Sequence, residues 1–482
     1  MKTMTKDHPT LAEEFIRDEE RTDWHDGALW WIRQKRDMAA KQIPEWEALR
    51  DTASRIKSNV LSNLHDYLLE FEANLIKNGI KVHWAADAEE HNQIVYSILK
   101  EKEITQLVKS KSMLTEECHL NEYLIERGVD VINSDLGEYI QQLDNEPPSH
   151  IVLPCIHKRK EEIGEIFHEH IGTPKGESDP TTLTRFARRH LRNVFITRRA
   201  ALTGVNFAVA ETGEYVVCTN EGNADMGAHL SDVQIASMGI EKIIPQKQHL
   251  GIFLRLLARS GTGQPITIYS SHFKKPRNGQ EMHLILVDFG RTRQLGRPDF
   301  RDSLKCIRCG ACMNTCPVYR KSGGLSYHNT VAGPIGAILA PNLDMQKHAD
   351  LPFASTLCGS CSNVCPVKIP IHEQLYKWRQ VIVKEGYAAN TKVLGMKAMA
   401  WTLSSPASYL TAGKAARWVL NNIPFAINNK LNPWYRQRDM PGSPKESFGE
   451  WYAKNQPTEP INHRNGGPST TEPINQSTSQ PQ

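Results

Sequence analysis

Hydrophobic positions change rhythm several times along the chain, and each change marks a change of structure. Over 1–50 the chain is polar and helix-prone, with Trp24, Trp30, Trp31 and Trp46 spaced along it. That pattern reads as an N-terminal helical arm with aromatic packing anchors. From 56 to 76, Ile56, Val60, Leu64, Tyr67, Leu68, Phe71 and Leu75 repeat at the helical period, and Gly79 follows where a helix should end. Short apolar runs at 82–85, 106–108, 129–132 and 151–153 then alternate with helical stretches at about 88–101, 116–127, 136–143 and 158–171. Such alternation predicts a mostly parallel sheet covered by helices. A polar segment at 172–180 leads to a basic helix at 181–200 and further strands at 207–210, 215–219, 234–237, 266–269 and 283–287. The α/β region closes near Gly290. Residues 371–425 are helical again, and their interrupted apolar pattern, with Trp401, Tyr409, Trp418 and Phe425, predicts packing on the preceding domain rather than a membrane anchor. From about 455 Pro, Gly, Ser, Thr, Asn and Gln dominate, and Thr-Glu-Pro-Ile-Asn occurs twice, at 458–462 and 471–475. A segment of that composition is expected to be disordered, because it has too little apolar surface to bury.

Composition narrows the class. At 482 residues, 39% hydrophobic and 23% charged, the chain is long enough for two or three domains with cores of their own. A net charge of +4 gives no argument for nucleic acid. No stretch approaches the roughly 20 apolar residues that span a bilayer, and the N-terminus lacks the apolar core of a signal peptide. Together these features place the expectation in the cytoplasm.

Cysteine spacing carries the chemistry. Seven of the ten cysteines fall in Cys306-Ile-Arg-Cys309-Gly-Ala-Cys312-Met-Asn-Thr-Cys316-Pro317 and Cys358-Gly-Ser-Cys361-Ser-Asn-Val-Cys365-Pro366. The first run has the bacterial ferredoxin spacing, in which three thiolates wrap one cubane cluster and the fourth reaches the other. Zinc sites use cysteine pairs separated by longer spans. The second run lacks one ligand, with Ser355 where its first cysteine would stand. Crossed ligation predicts one complete set, Cys306, Cys309, Cys312 and Cys365, around a four-iron cluster. The other set, Cys316, Cys358 and Cys361, has an open corner. It is compatible with a three-iron cluster, or with a four-iron cluster capped by water, another side chain or Ser355. Cys118, Cys155 and Cys218 are expected to be buried, inert thiols.

In open α/β sheets ligands gather beyond the carboxyl ends of strands, where helix N-termini present free N–H groups. Three segments fall at such places. Lys111 and Ser112 sit where a strand enters a helix, an anion site or an ordinary capped helix start. Asp135 and Glu138 open another helix, and spacing favours capping there. Glu211, Glu221 and Asn223 lie in polar loops. No Ser/His/Asp arrangement and no flavin or nicotinamide fingerprint stands out.

Ser110-Lys-Ser-Met-Leu-Thr-Glu-Glu, Asp135-Leu-Gly-Glu, Pro148-Ser-His-Ile-Val-Leu-Pro, Phe207-Ala-Val-Ala-Glu-Thr-Gly and Thr219-Asn-Glu-Gly-Asn, ahead of the ferredoxin run, resemble the lactate utilization protein B family over about 50–440. The resemblance implies an α/β lactate-utilization (LUD) domain, similar to sugar isomerases and CoA transferases, followed by a small α-helical ferredoxin-like domain with two iron–sulfur clusters. The expected boundaries are 1–50 for the arm, 51–292 for the LUD domain, 293–385 for the cluster domain, 386–454 for C-terminal helices and 455–482 for the tail. The implied function is electron transfer in a multi-protein system oxidising L-lactate to pyruvate. The implied partners are a CCG-motif protein and a second LUD protein. Two alternatives stand beside it: a LUD domain that is itself catalytic or ligand-binding, and a redox-sensing or assembly scaffold. An anion or partner pocket is expected at Lys111, Ser112, Glu211, Glu221 and Asn223. Asp225 departs from the family's Gly-Asn-Ala-Arg pattern, which has a basic residue there; Ser355 departs from the full ferredoxin set, in a seven-cysteine pattern that the family tolerates.

Overall fold

The computed structural model describes residues 6–429, 432, 435 and 442–455. The chain divides into two compact units, Met1–Ala388 and Ala389–Gln482.

In the first unit the apolar runs form ten strands: β1 Lys81–Ala85, β2 Gln106–Lys109, β3 Asp130–Asn133, β4 Ala200–Gly204, β5 Phe207–Val209, β6 Glu214–Thr219, β7 Val233–Gly239, β8 Ile243–Ile244, β9 Tyr269–Phe273 and β10 Glu281–Val287. Six of them make a sheet in the order β1-β10-β7-β4-β2-β3, and every pairing in it is parallel. Parallel sheets are covered on both faces, so their strands read as near-continuous apolar runs; all of β7 is buried. Helices between the strands start on side-chain caps the sequence supplies. Asp87 accepts from Glu90 N at 2.9 Å to open Ala88–Glu101. Asp135 accepts from Gly137 and Glu138 N–H to open Leu136–Leu143, and Asp179 precedes Pro180 at the head of Pro180–Thr197. The other four strands form a smaller sheet, β8-β5-β6-β9, with β5–β6 and β6–β9 antiparallel.

Several expectations change in the structure. Residues 151–153 are irregular rather than a strand, because the His150 ring accepts from the Val152 and Leu153 N–H groups and Ser149 N–H bonds back to Pro154 O. The run 266–269 becomes a strand only from Tyr269. Ala200–Gly204, of which only Ala200 falls in the expected basic helix 181–200, is a central strand of the sheet, buried along Ala200–Thr203. The helix Lys247–Thr262 went unread. The helical stretch 56–76 is two helices, Trp46–Ser62 and Leu64–Lys77, parted at Asn63. The tail beyond residue 455 lies outside the described residues.

The N-terminal arm joins the two halves of the first unit. One continuous core takes Leu29, Ile32 and Trp46 from the arm, Phe207 and Phe253 from the LUD region, and Met313, Tyr319 and Trp378 from the cysteine-rich region. Of the arm's tryptophans Trp46 is buried, whereas Trp24, Trp30 and Trp31 are exposed. Polar groups reinforce the joint. Arg50 donates to Cys365 O through Nε at 3.0 Å and to Asn363 O through Nη2 at 2.6 Å, and Arg36 Nη2 reaches Val364 O at 3.1 Å. Lys57, buried, donates to Ile243 O at 3.2 Å and also to Glu241 O. Buried charges bonded this way are far from neutral to remove.

Ile371–Lys384 packs into the first unit through Leu375, Trp378 and Ile382. The second unit contains the helices Asn390–Leu403 and Pro406–Asn422, neither with a buried residue. Among the described residues no helix is long and apolar enough to cross a membrane.

Candidate metal centres and the cavity beside them

The two cysteine runs fold into the same loop twice. In the first, Arg308 and Gly310 take φ of +58° and +78°, a short helix Ala311–Thr315 follows, and Cys316 leads into Pro317. In the second, Leu357 and Gly359 take φ of +56° and +78°, the helix is Ser360–Val364, and Cys365 leads into Pro366. A positive φ outside glycine costs energy and persists where the surroundings demand it. Here it turns backbone N–H groups inward. Arg308 N–H donates to Cys306 Sγ at 3.3 Å, and Ile369 N–H donates to Cys365 Sγ at 3.3 Å.

Cys306, Cys309, Cys312 and Cys365 line one small hollow with Ile307, Ile335 and Val367. Burial raises all of the thiols of Cys309, Cys312 and Cys365, the last to about 11. Cys361 is pushed up to about 12 by burial and by its neighbours Cys316 and Cys358. Thiols so placed stay neutral unless a cation takes up the charge, and iron deprotonates them outright. All ten cysteines are free of disulfides. Among the described residues no three His, Cys, Asp or Glu side chains converge on a single-ion site; a cubane asks for something different, four thiolates spread over its corners. The donor set, the apolar walls and the N–H groups aimed at sulfur fit an iron–sulfur cluster.

Against this hollow lies a cavity of about 660 Å³. It opens beyond the carboxyl ends of β2, β4, β6 and β7, and its far wall is made by 151–156, 257–262, Arg308 and Cys309. Of the residues expected in a pocket, Lys111, Ser112, Glu221 and Asn223 line it. Glu211 does not: its carboxylate accepts from Lys247 N–H at 3.0 Å, at the head of Lys247–Thr262. Asp225 is also off the lining. Cys155 and Cys218, expected to be buried, are partly exposed and line the cavity.

Most of the polar groups there are already engaged. Lys111 Nζ lies 3.2 Å from Asp135 and donates to Val152 O at 3.0 Å. Ser112 caps the following helix through Thr115 N–H, and Asn223 donates to Ser134 Oγ at 3.3 Å. Glu221 accepts from Leu136 N–H at 3.2 Å. Part of its side chain is exposed, yet desolvation of the carboxylate, with Asp135 beside it, pushes it up to about 7.

Four charged residues that sequence reasoning passed over bridge the LUD sheet to the cluster loop. Arg291 pairs with Glu241 at 2.6 Å and with Glu117 at 3.3 Å, and Glu117 also holds Arg308 at 3.1 Å. Burial would raise Glu241, but Arg291, Lys242 and Arg308 hold it down at about 2. Lys242 itself lines the cavity and, among the described residues, has no side-chain hydrogen bond or ion-pair partner. Burial lowers its pKa despite Glu241. A lysine inside the apolar run Gly239-Ile-Glu-Lys-Ile-Ile244 was the available signal.

Deeper in the LUD domain, Lys109 is fully buried against Glu116 and lies 3.9 Å from Glu138. Both Glu138 oxygens lack hydrogen bonds. Burial, against the pull of Lys109, raises Glu138 to about 8. A carboxyl raised on folding stabilises fully below its unfolded value of 4.5, and that contribution is lost as pH rises through the folded value. Glu138→Gln is therefore expected to gain on the wild type as pH rises from about 5 to 9, by roughly 3–5 kcal/mol at about 1.36 kcal/mol for each pH unit between the two values. Denaturant midpoints of both proteins across that range test this; parallel pH profiles would refute it.

Fold and site define a LUD domain carrying a dicluster iron–sulfur region. The LUD-domain family matches residues 68–291, and the 4Fe-4S dicluster domain matches 302–369. "Lactate utilization protein B" of Bacillus cytotoxicus is 42% identical over 443 residues, covering 89% of this chain and 91% of that protein. The protein of the same name from Oceanobacillus iheyensis is 41% identical, covering 88% and 91%. The chain belongs to the lactate utilization protein B family. A DUF162 family protein of Deinococcus radiodurans, of known structure, is 12% identical and covers 46% of this chain and 98% of its own, at a TM-score of 0.26.

Proposed function

We propose that this chain is the iron–sulfur electron-transfer subunit of a multi-protein system that oxidises L-lactate to pyruvate. Its partners on this reading are a CCG-motif protein and a second LUD protein. The observation that carries the reading is the shared wall: Cys309, a ligand of the complete set, lines the same cavity as the strand ends of the LUD sheet. Oxidation of a 2-hydroxy acid to a 2-oxo acid releases two electrons and two protons. When bound, the clusters supply one-electron transfer. The chain's own residues bury Cys309, Cys312 and Cys365 in the shared core and hold the first cysteine loop against the cavity through the Arg291–Glu117–Arg308 bridge.

The cavity also favours a second reading, in which the LUD domain binds an organic acid itself. Among the described residues Lys242 makes no side-chain hydrogen bond or ion pair, and it lines a hollow with largely apolar walls; such a site suits a carboxylate with a carbon body. The decisive experiment follows cluster absorbance anaerobically as L-lactate is added to the protein together with its companions. Rapid bleaching supports the electron-transfer role, and no bleaching with intact clusters removes it. Lys242→Gln is expected to slow bleaching about tenfold, the worth of one charge-assisted hydrogen bond, with iron content unchanged. Full bleaching rates in that variant would leave the ligand-binding reading without its anchor.

A further inference from the structure

We propose that Ser355 is the fourth ligand of the cluster held by Cys316, Cys358 and Cys361, its Oγ bonded to the remaining iron. The argument is the repetition of the loop. Ser355 precedes Cys358 by three residues, as Cys306 precedes Cys309. The residue before the second ligand, Leu357 or Arg308, takes nearly the same positive φ, and a glycine at φ +78° follows in both loops. Leu357 N–H donates to Ser355 Oγ at 3.1 Å, the counterpart of Arg308 N–H on Cys306 Sγ at 3.3 Å. The backbone thus presents an oxygen in the second loop where it presents a sulfur in the first.

A serine that accepts from an N–H two residues on is by itself a common turn. Here the same contact recurs, in the same register, on a thiol whose place in the motif is a ligand's. The surroundings suit an anionic oxygen. Arg379 donates to Ser355 O at 2.7 Å and to Pro352 O at 2.9 Å, and lies over the Phe353 ring, which fixes the segment beside a permanent positive charge. An N–H aimed at the ligand atom favours its charged form. Cys358 is exposed and Ser355 half-buried, so a corner left without a protein ligand would meet water. Ligation exchanges the serine O–H bond for an O–Fe bond; the proton passes to solvent and a water leaves the iron.

The inference rests on the crossed grouping of the ligands, which cysteine variants read separately through paired loss of cluster signals, so the two fail independently. The test uses anaerobically reconstituted full-length protein, with Mössbauer spectroscopy and electron–nuclear double resonance in oxygen-labelled water. In the wild type one iron of the second cluster is expected to be distinct from its three neighbours, with no label from water. Ser355→Ala should acquire the water label and lose its corner iron to ferricyanide at least about tenfold faster, the scale of losing a ligand-supporting group. Ser355→Cys should make all four irons alike and resist ferricyanide. Water label on the wild-type cluster, or a three-iron cluster in freshly reconstituted wild type, overturns the proposal. So does an alanine variant indistinguishable from wild type. Where Ser355→Ala fails to assemble, the wild-type label and the cysteine variant still decide.

Discussion

Replacing Cys365 by alanine, which leaves no ligand atom, is expected to abolish the cluster of Cys306, Cys309 and Cys312 and to spare the one bound by its own loop neighbours, Cys358 and Cys361. Iron should fall from about eight to about four atoms per chain. The reason is position: Cys365 lines the hollow of the first loop's cysteines, and its Sγ accepts from Ile369 N–H there. The sharper form of the prediction is pairwise. Cys365→Ala and Cys309→Ala should remove the same paramagnetic signal, while Cys316→Ala and Cys361→Ala remove the other. If Cys365→Ala matches Cys361→Ala instead, each loop binds its own cluster and the crossed grouping is wrong. The effect should be large, because no other thiol can take the place of Cys365: its carbonyl is clamped by Arg50, and the loop has no freedom to bring in a substitute.

The two cysteine loops were legible in the sequence because ligand spacing is local. Three cysteines two residues apart and a fourth followed by proline constrain a few turns of backbone, and those turns appear where the spacing puts them. Helices opened by Asp87 and Asp135 were legible for the same reason, since a cap and its helix are contiguous. The strand Ala200–Gly204 was not. Its alanines and leucine carry no period of their own, and only burial between β7 and β2 makes them a strand. The cavity was half legible. Lys111, Ser112, Glu221 and Asn223 follow strands, so a topological rule finds them. Glu117, the Glu241-Lys242 pair and Arg291 are far apart in sequence and meet only through folding. Sequence also overstated Lys111, whose charge Asp135 already answers, and could not place Glu211, which caps a helix that had gone unread.

Arg291→Met is expected to be the most damaging single change outside the cysteines, costing about 3–5 kcal/mol. Methionine keeps much of the side chain's volume but leaves the buried carboxylate of Glu241 without its ion pair at 2.6 Å and takes from half-buried Glu117 one of its two, at 3.3 Å. Relaxation is blocked on one side: a Cβ on Gly239 would sit 2.1 Å from Glu241 Oε2 and 2.4 Å from Arg291 Nε, so the pair is packed hard against backbone. The pH dependence gives the sign. In the wild type Glu241 is held at about 2, so its contribution is present above the unfolded value of 4.5 and is lost only as pH falls through 2. Without Arg291, burial dominates and the carboxyl binds a proton more readily, so the variant's deficit should shrink as pH falls from 7 towards 4.5. Denaturant midpoints at both ends of that range measure it, and a deficit under about 1 kcal/mol, or one that does not vary with pH, would refute the account. Adding Glu241→Gln should recover part of the loss, because a neutral amide is far cheaper to bury than an unpaired charge. The loss should also reach the cluster side, because Glu117 then holds Arg308 alone. Arg308 sits between Cys306 and Cys309 on the cavity wall, so an ion pair in the LUD domain sets how firmly the first cysteine loop faces the cavity.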